Sequence, residues 1–384
     1  MISIPIRTLT PLWTGGADRS SAMVHDPGLL GSLRWWYEGL IRGLGAYACD
    51  PTGEDRCKYE EDKKDATEAR RNAIDRMCPA CRLFGCTSWR RRFRFESGGF
   101  SSFTPWFFAS REVYTAAGNW LWRMFGGAEN GSKSGYGSNV EFNIGVQSLW
   151  AERHAHIDIS CCDQATEDTL LFLLHLIAKW GAIGAKAQHG FGVIRILNTP
   201  DVEALQRGRA NICSEAANKK RPAQQNLFSF DRFFSREYGI PDATFTAYQR
   251  SGRMIGTPCS PQQEQFLPCA FDVRYKSRSR NPFTGEGKDR GLRPHIRETL
   301  GRDAASALFG ESLAESDAQR RAGRIAVSHL FRDASWHLRI WGDIPRSLDT
   351  STTISEIDRF IRGEMFQGAA VVSDFDFESE VWSV

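Results

Sequence analysis

The pattern of apolar and polar positions divides the chain into two similar halves. In the first, an apolar strand over Ile2–Trp13 precedes a helix over Gly28–Leu44. Arg90–Phe95 alternates arginine with phenylalanine and predicts a strand. Asn139–Ala151 and His154–Cys162 read as strands. Glu167–Trp180 is strongly apolar at helical spacing, and Phe191–Leu197 reads as a closing strand. The order strand–helix–strand–strand–helix–strand predicts an α+β, ferredoxin-like fold. Two insertions interrupt it: a cysteine-bearing segment over 47–86, with a charged helix over Tyr59–Arg76, and a Trp-, Phe- and Gly-rich hairpin or lobe over 103–138.

Thr199–Gln225 is polar, basic at Lys219-Lys220-Arg221, and predicts a linker between residues 1–198 and 226–384. The second half carries a strand over Cys269–Lys276 and a helix over Pro294–Leu308. Strands at Arg324–Phe331 and Trp336–Trp341 and a helix at Thr353–Met365 follow. Leu83-Phe84-Gly85 precedes the basic strand from Arg90, and Leu308-Phe309-Gly310 precedes Arg320–Arg324 and its strand. This echo fits two fused copies of one fold and is too widely spaced for a solenoid.

With 384 residues and 41% hydrophobic content the chain can build one large or two medium cores. No run approaches the roughly 18 uncharged apolar residues of a membrane span, and the N-terminus carries no secretory signal, so a cytoplasmic location is expected. Net charge is only +3, but the basic residues are 39 Arg against 10 Lys, and arginine suits bidentate phosphate contact and base stacking. Arg274–Arg302 holds nine basic and three acidic residues, net +6; Ser351–Val384 holds seven acidic residues and two Arg, net −5. A chain polarised in this way can present a basic track without an extreme total.

Trp13-Thr14-Gly15-Gly16 ends the first strand and leads by a polar loop into Ser32-Leu33-Arg34-Trp35-Trp36. The glycines free backbone N–H groups, a helix N-terminus favours anions, and Arg34 and the tryptophans add a cation and flat faces. Together they suit a phosphodiester chain with unstacked bases. The loop Gly181–Gly192 is rich in glycine but follows a helix, so it is neither a P-loop nor a dinucleotide fingerprint. Its backbone amides, Lys186 and His189 suit a phosphate chain; a long helix-to-strand turn would need the same glycines. Trp35 and Trp36 are helical neighbours and cannot face the same way, so one belongs to the core.

Ten cysteines without a secretion signal argue against a disulfide framework. Cys78-Pro79-Ala80-Cys81 can chelate one tetrahedral metal, with Cys49 and Cys57 completing four thiolates and Cys86 in reserve. A structural Zn2+ is therefore expected, with no open position for catalysis. Asp18, His25 and Asp26 lie in the loop after the first strand, where a general base, a turn former or an N-cap would sit. His329 reads as a structural residue.

The stretches LTPLWTGG…GLLGSLRWWYEGLIRGLGAYACDP, CPACRLFGCTSWRRRFRF and GAIGAKAQHGFG, in this order, resemble the RAMP (repeat-associated mysterious protein) superfamily, and within it the first RAMP subunits of Cmr, or type III-B, CRISPR effectors. The likeness covers residues 5–95 and 175–197, with SHLFR and RIWG in Arg320–Trp341 similar to a second domain. It implies two fused ferredoxin-like (RRM-like) RAMP domains with a zinc-knuckle insertion in the first. It also implies a non-catalytic RNA-binding end-cap subunit in antiviral defence. The implied partners are guide RNA (its 3′ part), target RNA and other RAMP subunits. The contacts it carries over are Gly15, Gly16, Arg19, Ser32, Arg34, Gly184, Lys186, His189 and Gly190; Arg90 and Arg92 join them as candidate RNA-binding residues. Two rivals remain at this stage. One is a RAMP endoribonuclease processing guide RNA through His25 or His189; the other is a zinc-stabilised assembly subunit with little RNA contact.

Overall fold

The structure is a computed structural model that describes residues 1–15, 21–54, 56–60, 66–103, 106–110, 133–134, 139–143, 148–151, 154–199, 201–218, 227–250, 265–267, 269–274, 291–310 and 322–382. In the first half, β1 (Ile2–Thr8), α1 (Asp26–Gly43), β2 (Phe93–Gly98), β3 (Ala155–Cys161), α2 (Gln164–Trp180) and β4 (Ile194–Ile196) follow one another. The strands form one antiparallel sheet in the order β2-β3-β1-β4. Strand alternation decides its two faces. Ile4, Ile6, Phe93, Phe95, Ile157 and Ile159 point to one side and bury against Leu33, Trp36 and Leu40 of α1 and Leu170, Leu173 and Ile177 of α2. Ser3, Arg94, Asp158 and Ser160 point to the other.

The first strand is shorter than the apolar pattern predicts. It stops at Thr8 because Leu9 and Thr10 turn to donate to the Val193 carbonyl and Leu12 pairs with Leu149. The expected linker also differs. Within 199–225, Val202–Ala217 forms α3, capped by Asp201 and laid along α2. Gly208 makes this possible: a Cβ there would lie 2.1 Å from the Asp168 carbonyl oxygen. Arg207 reaches the buried Asp168 carboxylate at 2.7 Å. In and just after the aromatic insertion, Trp106–Ser110, Lys133–Ser134 and Asn139–Asn143 form a small antiparallel sheet; residues 104–105, 111–132 and 135–138 lie outside the described residues.

The second half opens on β5 (Phe233–Ile240), which periodicity does not reveal. Phe233, Phe234 and Ser235 are all buried at its start, and its register against a neighbour shifts between Glu237 and Tyr238. After it come β6 (Ile325–Val327), β7 (Leu330–Arg332), β8 (Trp336–Asp343), α4 (Thr350–Arg359) and β9 (Ala370–Asp374). The order β7-β8-β5-β9, with β6 also on β8 and Phe266–Leu267 added at the edge beside β7, contains that of the first sheet: second, third, first, fourth. Two further expectations change. Where a strand is expected over Cys269–Lys276, the described Ala270–Arg274 is a short helix, with the Cys269 sulfur accepting from Leu330 N–H and the Ala270 N–H donating to His329. Pro294–Leu308 is two helices, Leu292–Thr299 and Arg302–Phe309, separated at Gly301, whose φ is +96°.

The halves share a seam. Phe228, Phe230, Phe233, Phe331 and Trp341 enter the first core. Arg339 of β8 caps the end of α2, donating to the Ala178 and Gly181 carbonyls at 2.9 and 3.0 Å while pairing with Glu237 at 2.7 Å. A cation at a helix C-terminus meets unsatisfied carbonyls and the negative end of the dipole.

Candidate nucleic-acid interface and metal centre

The end of the first strand and the distant glycine loop meet. The Thr14 hydroxyl donates to the Met23 carbonyl at 3.3 Å and accepts from His25 N–H at 3.1 Å, drawing the start of α1 back onto the strand. Gly28 allows the approach, since a Cβ there would lie 2.3 Å from the Thr14 carbonyl oxygen. From 172 residues further along, Ala185 N–H donates to the Trp13 carbonyl at 2.7 Å, and the Lys186 ammonium sits 3.4 Å above the Trp13 ring. At Gly184, whose φ is +87°, a Cβ would lie 2.6 Å from that same carbonyl oxygen.

The second half grips the same loop. Arg274 donates to the Gln188 and Ile325 carbonyls at 2.7 and 2.5 Å. His329 N–H donates to the Gly190 carbonyl at 3.3 Å, and its ring with Ala270 fills the space beside Gly190. Gly190 is therefore a seam residue, and Arg274, expected on a basic track, is buried in the seam. Burial pushes His189 and His329 down to about 3 and Lys186 to about 8. At neutral pH the histidines are uncharged and Lys186 is mostly protonated.

A cleft of about 870 Å³ opens between the halves. Ser32 and Trp35 of α1 and Gly184, Lys186 and His189 of the loop line one wall; Arg324, paired with Asp343, lines the other. Four of the expected contacts, Ser32, Gly184, Lys186 and His189, thus converge. Gly15 (φ +69°) lies two residues past Trp13, where a Cβ would sit 3.7 Å from the indole nitrogen of Trp13. Gly16, Asp18 and Arg19 lie outside the described residues, as do 275–290 of the basic run.

Arg34 does not face this cleft. Its guanidinium donates to Glu38 at 2.8 Å, to the Gly85 carbonyl at 2.8 Å and to the Cys81 sulfur at 3.1 Å. One helical turn beyond Glu38, Arg42 pairs with the other Glu38 oxygen at 3.5 Å and donates to the Ala48 and Cys49 carbonyls at 3.0 and 3.1 Å. Residues at i, i+4 and i+8 share one helix face, so α1 holds both cysteine-bearing segments with one ladder of charges. The expectation of Arg34 as a phosphate contact is corrected by these three internal bonds.

The cysteines it holds are Cys49, Cys57, Cys78 and Cys81, whose sulfurs lie within 4.8 Å of one another. Cys49 is 3.4 Å from Cys81 and 3.8 Å from Cys78. Tetrahedral Zn–S bonds of about 2.3 Å place sulfurs about 3.8 Å apart. Backbone N–H groups of Cys78 and Cys81 donate to the Cys57 and Cys78 sulfurs, both at 3.4 Å, which favours thiolates. Four such thiols cannot all ionise without a cation. The Cys78 thiol is held low and that of Cys81 pushed up, contact with Cys49 being the first cause of each. The donor set fits a structural tetrahedral metal. Cys86 is not one of the four, although it borders them: its sulfur lies 3.4 Å from that of Met77 and its side chain also reaches Cys81.

Arg90 and Arg92 are exposed with Arg91 and Arg94 along a separate depression of about 700 Å³ beside the cysteine segment. Arg92 pairs with Asp163 at 2.8 Å. Of the aromatics, Trp13, Phe93, Phe95 and Trp36 are buried, and Trp36 donates to the Ala182 carbonyl at 2.9 Å. Trp35 is 44% exposed. Asp26 accepts a hydrogen bond from Ser97 at 2.5 Å and starts α1, with His25 at the N-cap.

With this architecture a family comparison becomes decisive. Residues 5–195 match the RAMP superfamily. The chain belongs to that superfamily. The matched stretch of this RAMP protein contains the Trp13–Gly15 turn, the cysteine cluster and the glycine loop. Among solved structures, the chain is similar to Cmr1 from Pyrococcus furiosus in its apo form, at 11% identity over 96% of this chain and 98% of that one, with a TM-score of 0.42. It is also similar to chains from type III-B Cmr-beta. One is from the complex bound to cognate target RNA and AMPPnP in the presence of ssDNA: 11% identity, 94% and 98% coverage, TM-score 0.44. The other is from the complex bound to cognate target RNA: 13% identity, 94% and 98% coverage, TM-score 0.39. No curated protein matches the chain. No described helix of this RAMP protein is long and apolar enough to cross a membrane.

Proposed function

We propose that this chain is a non-catalytic RNA-binding subunit of a cytoplasmic type III-B CRISPR ribonucleoprotein, capping one end of its backbone. Its two halves are fused ferredoxin-like RAMP domains, a reading supported by the strand order common to both sheets. The observation that carries RNA binding is the convergence of Ser32, Gly184, Lys186 and His189 on one cleft, in a chain of this superfamily. Lys186 and the loop amides bind phosphate there, and Gly15, Gly16 and Arg19 add further contacts. Arg90 and Arg92 form a second cationic track. Phosphate contacts of this kind position an RNA without reading its sequence, which guide–target pairing supplies.

A zinc ion held by Cys49, Cys57, Cys78 and Cys81 fixes the knuckle from which the arginine-rich strand departs. It stabilises the fold and leaves no open coordination position for a substrate.

Purification of the tagged chain with its complex, followed by RNA sequencing and ultraviolet crosslinking, tests the assignment. Guide RNA and target RNA adducts to peptides spanning Ser32 and Gly184–His189 are expected, together with other RAMP subunits. An assembled complex without RNA adducts in either half of this chain refutes it.

A further inference from the structure

One large aromatic side chain in the cleft is left exposed where burial was available. Trp35 lies midway along α1 and keeps 44% of its surface in solvent, while its neighbour Trp36 is 1% exposed. The Trp35 indole is nevertheless fixed. One face stacks on Phe228 with ring centroids 3.7 Å apart and planes 11° from parallel, and Trp36 meets it edge-on at 5.4 Å. Phe228 is itself seated over Gly39, where a Cβ would come within 2.3 Å of the phenyl ring. With one face covered, an exposure of this size leaves the opposite face open. Trp35 lines the cleft together with Ser32, Lys186 and His189.

We propose that Trp35 is a stacking platform for an unpaired RNA base whose phosphate is held by Lys186 and the glycine loop. The inference rests on the RNA-binding reading above and names the part of the nucleotide that the cleft takes beyond its phosphate. The Phe228 stack orients the indole before binding, so little side-chain freedom remains to be lost. Every base has a π-face, so the platform adds affinity without choosing a sequence.

The full-length chain, Trp35→Ala and Trp35→Phe are compared by fluorescence anisotropy on a labelled oligouridylate and on the same backbone without bases, over a range of salt concentrations. Trp35→Ala is expected to weaken oligouridylate binding about 5- to 150-fold with an unchanged salt slope. Trp35→Phe keeps a ring on Phe228 and retains most of the affinity. All three proteins should bind the abasic backbone alike. Equal oligouridylate affinity for wild type and both variants overturns the platform and assigns the exposed indole to a protein neighbour. Failure of the wild type to bind either oligomer overturns the RNA-binding reading itself, and the platform with it.

Discussion

Replacing Arg34 by alanine separates two roles that the residue could have. If its guanidinium met phosphate, the loss would appear in RNA affinity and would lower the salt slope by about one contact. The structure predicts a loss of stability instead. Arg34 and Glu38 have side chains 19% and 5% exposed, and the guanidinium also serves the Gly85 carbonyl and the Cys81 sulfur. Breaking a buried ion pair costs roughly 3–5 kcal/mol. Arg42 continues to reach Glu38 at 3.5 Å, which places the expected cost near the lower end, about 3 kcal/mol. Lysine keeps the charge but cannot span three acceptors in one plane, so Arg34→Lys should lose less than Arg34→Ala and still fall short of wild type. Urea unfolding followed by circular dichroism measures the cost, and release of zinc to a colorimetric chelator should occur at lower urea in both variants. A wild-type urea midpoint for Arg34→Ala, with a salt slope reduced by about one, would refute the internal assignment.

Other consequences follow from the same geometry. Metal analysis should find one zinc per chain, and Cys49→Ser or Cys81→Ser should lose both the metal and cooperative unfolding; substoichiometric zinc in a stably folded wild type would count against the site. Arg90→Ala/Arg92→Ala should lower the RNA salt slope by about two while changing stability by no more than about 0.5 kcal/mol per exposed site, read by anisotropy and urea unfolding. His189 titrates near 3 when folded and at its ordinary value of about 6.5 when unfolded, so the unfolded chain binds more protons between them. Its stability contribution is complete above about pH 6.5 and is lost as pH falls toward 3, by about 2 kcal/mol between pH 7 and 5. His189→Gln should therefore lose less stability than wild type over that interval; identical pH profiles would contradict the buried, neutral imidazole. Arg339→Ala leaves Glu237 with one partner fewer and the α2 carbonyls uncapped, so the urea midpoint should fall by the equivalent of about 3 kcal/mol.

Local chemistry reaches only part of this protein. Periodicity marks α1, α2, β2 and β3 because each buries one face, and burying one face imposes a period on the sequence. The four sulfurs are legible because a tetrahedral metal needs thiolates and a CxxC supplies two within one turn. The central strand β5 escaped because its first residues are buried on both sides, which erases alternation. The helix α3 escaped within a polar segment because its packing on α2 depends on Gly208, a residue whose value lies in what it lacks.

The sequence alone determined the βαββαβ order of the first half, the four cysteines that cluster and the strand end and glycine loop that meet at Trp13. Only the tertiary structure decided which way the side chains in those loops face. Arg34 and Trp35 are adjacent on one helix, yet a rotation of about 100° per residue sends one to the knuckle and the other to the cleft. Gly184 and Gly190 stand six residues apart, yet one lies against Trp13 and the other is closed over by His329. Direction depends on what packs against a segment from more than a hundred residues away, and no local pattern encodes that.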